Sequence, residues 1–240
     1  MRVSGILLVV VVFLATARVQ GQTPQELAES YNLQAMEAYR HSDWKAAEAL
    51  LRKALEEDPN SKLANYNLAC VLSLRLSGDH FSWLREIGPS QEPLDQLARA
   101  IQVDPDAARK AAHDPDFANI RLTPRFQVLI GADIKDTRLI ELILIGQREW
   151  YGGACGSTCG NDLIFMENGE VTKRVRGEDG QGRQIFHDEH GRYSIDNGVI
   201  TIRYDSGESI QGGFVTEGPF TGVLQLGSEN AYTIYPVGDM

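Results

Sequence analysis

The sequence predicts an α+β protein of two domains, with α-helical hairpins followed by an all-β antiparallel barrel or sandwich of about eight or nine strands. Two observations support this fold class. Apolar residues recur at helical spacing up to about residue 132, and beyond Asp136 they alternate with polar residues while glycine becomes frequent. The predicted boundaries are 1–21 for a signal peptide, 24–132 for the helical domain and 139–240 for the β domain.

The first 21 residues have the pattern of a secretory signal peptide. Arg2 gives a positive start, Gly5 to Ala17 is an apolar run, and small residues continue to Gly21. The run is shorter than the roughly 20 residues needed to span a bilayer, so we expect cleavage between Ala17 and Gln22, with an uncleaved anchor as the alternative. This predicts an exported bacterial protein, periplasmic or secreted, with no integral membrane segment after cleavage.

The charge balance argues against nucleic acid as a partner. The chain has 23 Lys and Arg against 33 Asp and Glu, a formal net charge of −10. An acidic surface repels phosphate backbones. Solubility alone is the simpler explanation of the excess acid.

The stretch from Ala28 to Pro59 has the pattern of two helices that pack closely together. Small side chains recur where the helices would touch, and large ones where they would fill space. Pro59 ends the pattern because it cannot continue a helix and restricts the residue before it. The small residues are Ala35, Ala38, Ala47 and Ala54, and the large ones are Tyr31, Tyr39, Trp44 and Leu51.

These residues resemble a tetratricopeptide repeat. The unit of about 34 residues in that family has small residues at its eighth, twentieth and twenty-seventh positions and proline at its thirty-second. Ala35, Ala47, Ala54 and Pro59 fall at those positions, whereas the eleventh, often Tyr, is Ala38 with Tyr39 next to it. The resemblance implies helical hairpins that bind a protein or peptide in a concave groove.

A second, irregular repeat and a closing element follow. Asn67–Leu68–Ala69 resembles the start of its first helix, and Ala100 with Asp104–Pro105 the end of its second, with about 12 residues more than the family unit between them. We interpret the excess as an insertion or a short extra helix. Asp114 to Phe126 resembles the cap seen after short arrays of this family, which would cover the last apolar face.

The second half predicts a meander of short strands. Asn168–Gly169 and Asn197–Gly198 are strong hairpin turn signals. The segment 137–146 is either a buried strand or a short connecting helix. Gly146 and Trp150 resemble the opening of lipocalin-like barrels, although the spacing here is Gly-x-x-x-Trp instead of Gly-x-Trp.

The cysteines suggest one disulfide. Cys155 and Cys159 enclose three residues of a glycine-rich loop, so in an oxidising compartment we expect them to pair. Free thiols and a metal site are the alternatives, although two ligands do not complete a tetrahedral set. Cys70 lies in an apolar helical pattern and is expected to be a small buried residue.

The segment His187-Asp-Glu-His190 is the other candidate for chemistry. We expect a solvated turn there, between Phe186 and Gly191, with a weak divalent-metal site as the alternative. No nucleophile elbow and no zinc-protease helix motif occurs in the sequence. We therefore expect no catalytic residues, no metal and no cofactor.

The sequence as a whole favours a non-enzymatic protein-binding or scaffold protein whose helical module recruits a protein or peptide. Two alternatives remain open. The β domain could carry a small apolar ligand, unless its apolar residues fill the interior, or a hydrolase site using His187 or His190 could lie between the domains. The residues predicted to line the helical groove are Asn32, Tyr39, Asn65, Tyr66 and Leu68.

Overall fold

A computed structural model describes residues 22–76, 91–146, 149–152, 160–216, 223–227 and 230–235. The predicted signal peptide, the predicted insertion in the second repeat and the predicted Cys155–Cys159 disulfide lie outside these residues. Among the helices described, none combines the length and apolar character needed to cross a membrane.

The first part of the chain is helical, and its helices begin and end at recognisable signals. The elements are α1 (Pro24–Arg40), α2 (Trp44–Glu57), α3 (Lys62–Arg75), α4 (Gln91–Val103), α5 (Asp106–Ala111), a 3-10 helix (Pro115–Phe117), α6 (Pro124–Leu129) and α7 (Thr137–Gly146).

Short polar side chains cap the first helices. Thr23 and Glu26 form a reciprocal capping box at the start of α1. Asp43 accepts a hydrogen bond from the backbone N–H of Ala46 at the start of α2. Between the two helices Ser42 has φ 58°, a left-handed conformation that lets the chain reverse within three residues.

Alanines allow α1 and α2 to pack closely against each other and against α3. Ala35, Ala47 and Ala54 are fully buried, in one apolar cluster with Leu51 and Leu68. A larger side chain at these positions would force the helix axes apart. The predicted burial is confirmed for Ala35, Ala47 and Ala54, whereas Ala38 is only partly buried against the same cluster.

A second apolar cluster joins α3 to the elements that follow it. Phe117 and Phe126 are fully buried in it, and their ring centroids are 5.6 Å apart. Tyr66 of α3 meets Phe117 edge to face at 5.7 Å. The segment from Asp114 to Phe126 therefore covers the apolar face left by α3 and α4, as expected of a closing element.

The second part of the chain is a strongly curled antiparallel sheet. Each strand pairs with the next along the chain, and β8 also pairs with β1. The predicted α+β arrangement, helices first and an antiparallel sheet second, is confirmed. The strands are β1 (Glu149–Gly152), β2 (Gly160–Phe165), β3 (Glu170–Glu178), β4 (Gln184–Asp196), β5 (Val199–Tyr204), β6 (Ser209–Phe214), β7 (Leu224–Leu226) and β8 (Asn230–Tyr235).

Helix α7 belongs to the core of the sheet. Ile140, Ile143 and Leu144 are fully buried against the apolar side chains of the strands, among them Leu163 and Ile200. The helical alternative for residues 137–146 is therefore the correct one. The run is apolar because one side of α7 faces the inner surface of the curled sheet.

The expectation of a turn at His187–His190 is wrong, because these residues lie within the continuous strand β4. Their polarity suits cross-strand pairing: Asp188 accepts a hydrogen bond from Arg174 of β3. Gly191, which suggested a turn, is instead a point of close approach. A Cβ there would lie 2.5 Å from the carbonyl oxygen of Arg203 in β5.

The close approach of the backbone at Gly212 predicts that a side chain there would lower the stability of the protein. A Cβ on Gly212 would lie 1.7 Å from the carbonyl oxygen of Gln225, a backbone atom held in the β6–β7 ladder. We expect Gly212→Ala to lower the free energy of unfolding by about 1–3 kcal/mol in urea denaturation, because the two strands must separate. Gly180→Ala is the matched control, since a Cβ there meets nothing within 4 Å. Equal stability of the two variants would contradict this account of the ladder.

Candidate functional site

A cavity of about 650 Å³ opens on the helical part of the chain. It lies between the start of α3 and the segment running from the end of α4 to Pro115. Six of its eleven lining residues are charged, and Leu63, Tyr66, Ala107 and Pro115 form its apolar part; the charged ones are Lys62, Asp104, Asp106, Arg109, Lys110 and Asp114. A concave surface that places apolar and charged groups side by side is a candidate binding site.

Two of the cations at the cavity are engaged by carboxylates and one is not. Lys62 lies 3.9 Å from Asp104, and Arg109 lies 3.2 Å from Asp106. Lys110 is exposed and has no carboxylate at ion-pair distance within the described part of the chain. Its ammonium instead lies 3.9 Å from the centroid of the Tyr66 ring, a cation–π contact at the cavity wall.

Two tyrosines hold the segment that forms one wall of the cavity. The hydroxyl of Tyr66 in α3 donates a hydrogen bond of 2.8 Å to Asp114. The hydroxyl of Tyr39 in α1 donates to both carboxylate oxygens of Asp116, at 2.8 and 2.9 Å. Asp114 and Asp116, at the start of the 3-10 helix and within it, are thus tied to α3 and α1.

These tyrosines stay protonated far into the alkaline range. Burial raises the pKa of Tyr66 and of Tyr39, and the hydrogen bonds to the Asp114 and Asp116 carboxylates raise both pKa values further. A phenolate beside a carboxylate would place two negative charges together. The neutral hydroxyls therefore act as hydrogen-bond donors and are unsuited to be bases or nucleophiles.

Cys70 lies next to the same carboxylates. Its sulfur and one oxygen each of Asp114 and Asp116 lie within 4.8 Å of one another, so these three residues could hold a metal ion by distance alone. Burial raises the pKa of the Cys70 thiol, and the negative charges of Asp114 and Asp116 raise it further. A protonated thiol is a poor ligand and a poor nucleophile. The buried, free thiol agrees with the expectation that Cys70 packs as a small residue.

The structure places the five predicted groove residues in different surroundings. Tyr66 is the one of the five that lines the cavity, and Tyr39 is half-buried beneath the same wall. Asn65 is buried and donates to the carbonyl oxygens before α3, those of Pro59 and Ser61. Asn32 is buried and accepts a hydrogen bond from Asn67, and Leu68 lies inside the core between α1, α2 and α3.

The residues that sequence reasoning did not select are Leu63, Lys110, Asp114 and Asp116. The two aspartates were expected only as part of a closing element. Their partners, Tyr66 and Tyr39, are 48 and 77 residues away along the chain, so no local pattern connects them. For Leu63 the available signal was its position directly after the start of α3, beside the predicted Asn65 and Tyr66.

The two candidate histidines of the second half lie on opposite faces of the sheet. His187 faces Val175 across the β3–β4 ladder and His190 faces Thr172, so their odd spacing sends the imidazoles to opposite faces of the sheet. The Nδ1 atom of His190 lies 3.2 Å from the hydroxyl oxygen of Thr172.

No family model, no curated protein and no solved structure matches this chain. The resemblance of residues 28–59 to a tetratricopeptide repeat therefore stays an interpretation of the sequence pattern.

The Tyr66–Asp114 hydrogen bond leads to a test of how the cavity wall is held. We expect Tyr66→Phe to lower the free energy of unfolding by about 1–3 kcal/mol, because a partly buried carboxylate oxygen loses its donor. Tyr31→Phe is the matched control, since the Tyr31 hydroxyl makes no hydrogen bond in the described part of the chain. Equal urea midpoints for the two variants would show that the wall does not depend on this bond.

The raised tyrosine pKa values also predict a pH dependence. In the unfolded chain a tyrosine loses its proton near pH 10, whereas in the folded protein Tyr39 and Tyr66 keep theirs. Their contribution to stability is complete below about pH 10 and is lost as the pH rises beyond it. We expect urea midpoints to fall above about pH 10 less steeply in a Tyr39→Phe, Tyr66→Phe double variant than in the wild type. Parallel curves would contradict the assignment.

Proposed function

We propose that this chain is an exported protein-binding or scaffold protein whose short tetratricopeptide-like module recruits a protein or peptide through the cavity between α3 and α5. The observation that carries the proposal is the cavity of about 650 Å³ with an exposed leucine and an exposed cation, Lys110, at its edge. The proposal of export rests on the pattern of residues 1–21 alone.

The lining of the cavity favours a peptide with a particular chemistry. Leu63 is 59% exposed and lines the cavity together with Tyr66 and Pro115. An apolar side chain of a partner would cover this surface and remove it from water. Lys110, at the same edge, would then pair with a carboxylate of that partner. A short segment that carries an apolar residue close to an acidic one satisfies both requirements.

The β part suits a scaffold role better than a carrier role. Pairing of β1 with β8 supports a barrel, in keeping with the predicted all-β domain. Its inner side chains are buried against one another and against α7, among them Phe165, Ile200, Ile202 and Leu224. An interior occupied by these side chains favours the scaffold role over the carrier role. The hydrolase alternative has no support in the separated positions of His187 and His190.

A pair of exposed leucines allows a matched test. We expect Leu63→Asp in the full chain to weaken partner binding about 10-fold or more, because it places a charge where an apolar group must dock. Leu33→Asp is the control, since Leu33 is 70% exposed on α1 and does not line the cavity. The measurement is capture from an extract of the bacterial envelope, followed by titration of the purified partner against both variants.

Two outcomes would count against the proposal. One is a partner that binds the Leu63→Asp and wild-type chains with equal affinity, since its site would then lie elsewhere. The other is a chain whose Lys110→Ala variant binds an acidic partner peptide as tightly as the wild type.

A further inference from the structure

Strand β4 extends beyond β5, the strand that pairs with one of its two edges. It runs from Gln184 to Asp196, and β3 pairs with it from Gln184 to Arg192. On its other side β5 pairs only with Gly191–Asp196. Within the described residues, the six residues Gln184–Glu189 therefore have a neighbouring strand on one edge only.

The backbone of this segment presents hydrogen-bonding groups to the open side. The carbonyl oxygen of His190 accepts a hydrogen bond of 2.9 Å from the backbone N–H of Asp205, so His190 directs its backbone groups toward the β5 side. Successive residues of a strand alternate in this direction. Asp188, Phe186 and Gln184 therefore direct theirs to the same side, where β5 has already ended. No backbone hydrogen bond reaches this edge from any part of the chain that the structure describes.

The side chains of the segment do little to prevent another strand from pairing there. Ile185 is 51% exposed and Phe186 is 57% exposed, and as neighbours in a strand they lie on opposite faces. The carboxylates of Asp188 and Glu189 are each paired with a cation of β3, Arg174 and Lys173. Edges are commonly protected by proline or uncompensated charge, and this one has neither.

We propose that the open edge of β4 pairs antiparallel with the same edge of a second copy of this chain, with the two-fold axis at Phe186. Antiparallel pairing joins residues whose backbone groups point outward in both copies. Phe186 then faces its own symmetry mate, Ile185 lies beside His187 of the second copy, and Asp188 faces position 184. No two residues of like charge come opposite each other.

The sequence of the edge favours this register over the one whose two-fold axis lies at His187. A two-fold axis at His187 would place Phe186 opposite Asp188 and Ile185 opposite Glu189, so that each apolar residue would meet a carboxylate. With the axis at Phe186, two aromatic rings meet on one face. Five paired residues per copy, 184–188, form a small interface, below the roughly 1,200 Å² of stable complexes, so we expect a dimer that dissociates on dilution. This proposal is independent of the helical cavity.

The test uses the full chain and a pair of opposite charges. Sedimentation velocity over a concentration series is expected to show a monomer–dimer equilibrium for the wild type. F186K and F186E are each expected to be monomeric, because two like charges would face each other across the axis. An equimolar mixture of the two variants is expected to recover the dimer. Val199→Lys is the control, since Val199 is also an exposed apolar residue of the sheet and lies away from this edge.

Hydrogen exchange supplies a second measurement. The amides of Phe186 and Asp188 are expected to exchange more slowly as the protein concentration rises, whereas those of Ile185 and His187, which face β3, are not. A wild-type chain that stays monomeric throughout the series would overturn the proposal. So would a dimer that persists in F186K, or an F186K and F186E mixture that stays monomeric.

Discussion

Hydrogen bonds from two neutral tyrosines to two aspartates organise the helical part of this protein. Tyr39 lies in α1 and Tyr66 in α3, and their hydroxyls hold Asp116 and Asp114 of one short segment. That segment then forms a wall of the cavity and presents Phe117 to the core. Because the tyrosines are partly buried and remain protonated, the carboxylates keep their donors across the ordinary pH range.

The two halves use different means to exclude water. In the helical part, alanines at Ala35, Ala47 and Ala54 allow close approach, so little volume has to be filled between α1 and α2. In the β part, a whole helix, α7, supplies large aliphatic side chains to the inner surface of the curled sheet. Both arrangements leave mostly polar surface outside, with some large apolar side chains exposed among the described residues, including Leu63 at the cavity and Phe186 at the edge of β4.

The cavity and the edge of β4 differ in chemistry, so they would suit different partners. The cavity offers an apolar surface beside Lys110, and under the proposed function would select a partner by its side chains. The edge of β4 offers backbone donors and acceptors in a row, and would select a partner by its extended conformation. One protein can use both at once, since the cavity belongs to the helical module and the edge to the sheet. A dimer formed through the sheet would present two helical modules and so raise the avidity for a repeated partner.

The sequence by itself determined the order of helices and strands, because helical spacing of Ala35, Ala47 and Ala54 and turn pairs such as Asn168–Gly169 are local signals. It also indicated the burial of Cys70. It did not determine the cavity, because Tyr66 and Asp114 meet only through tertiary packing, and it misplaced His187–His190 because a glycine of close approach looks like a turn glycine in one dimension. The open edge of β4 was likewise hidden. An edge is exposed where one strand extends past its neighbour, and the lengths and pairing of neighbouring strands are set only in the folded sheet.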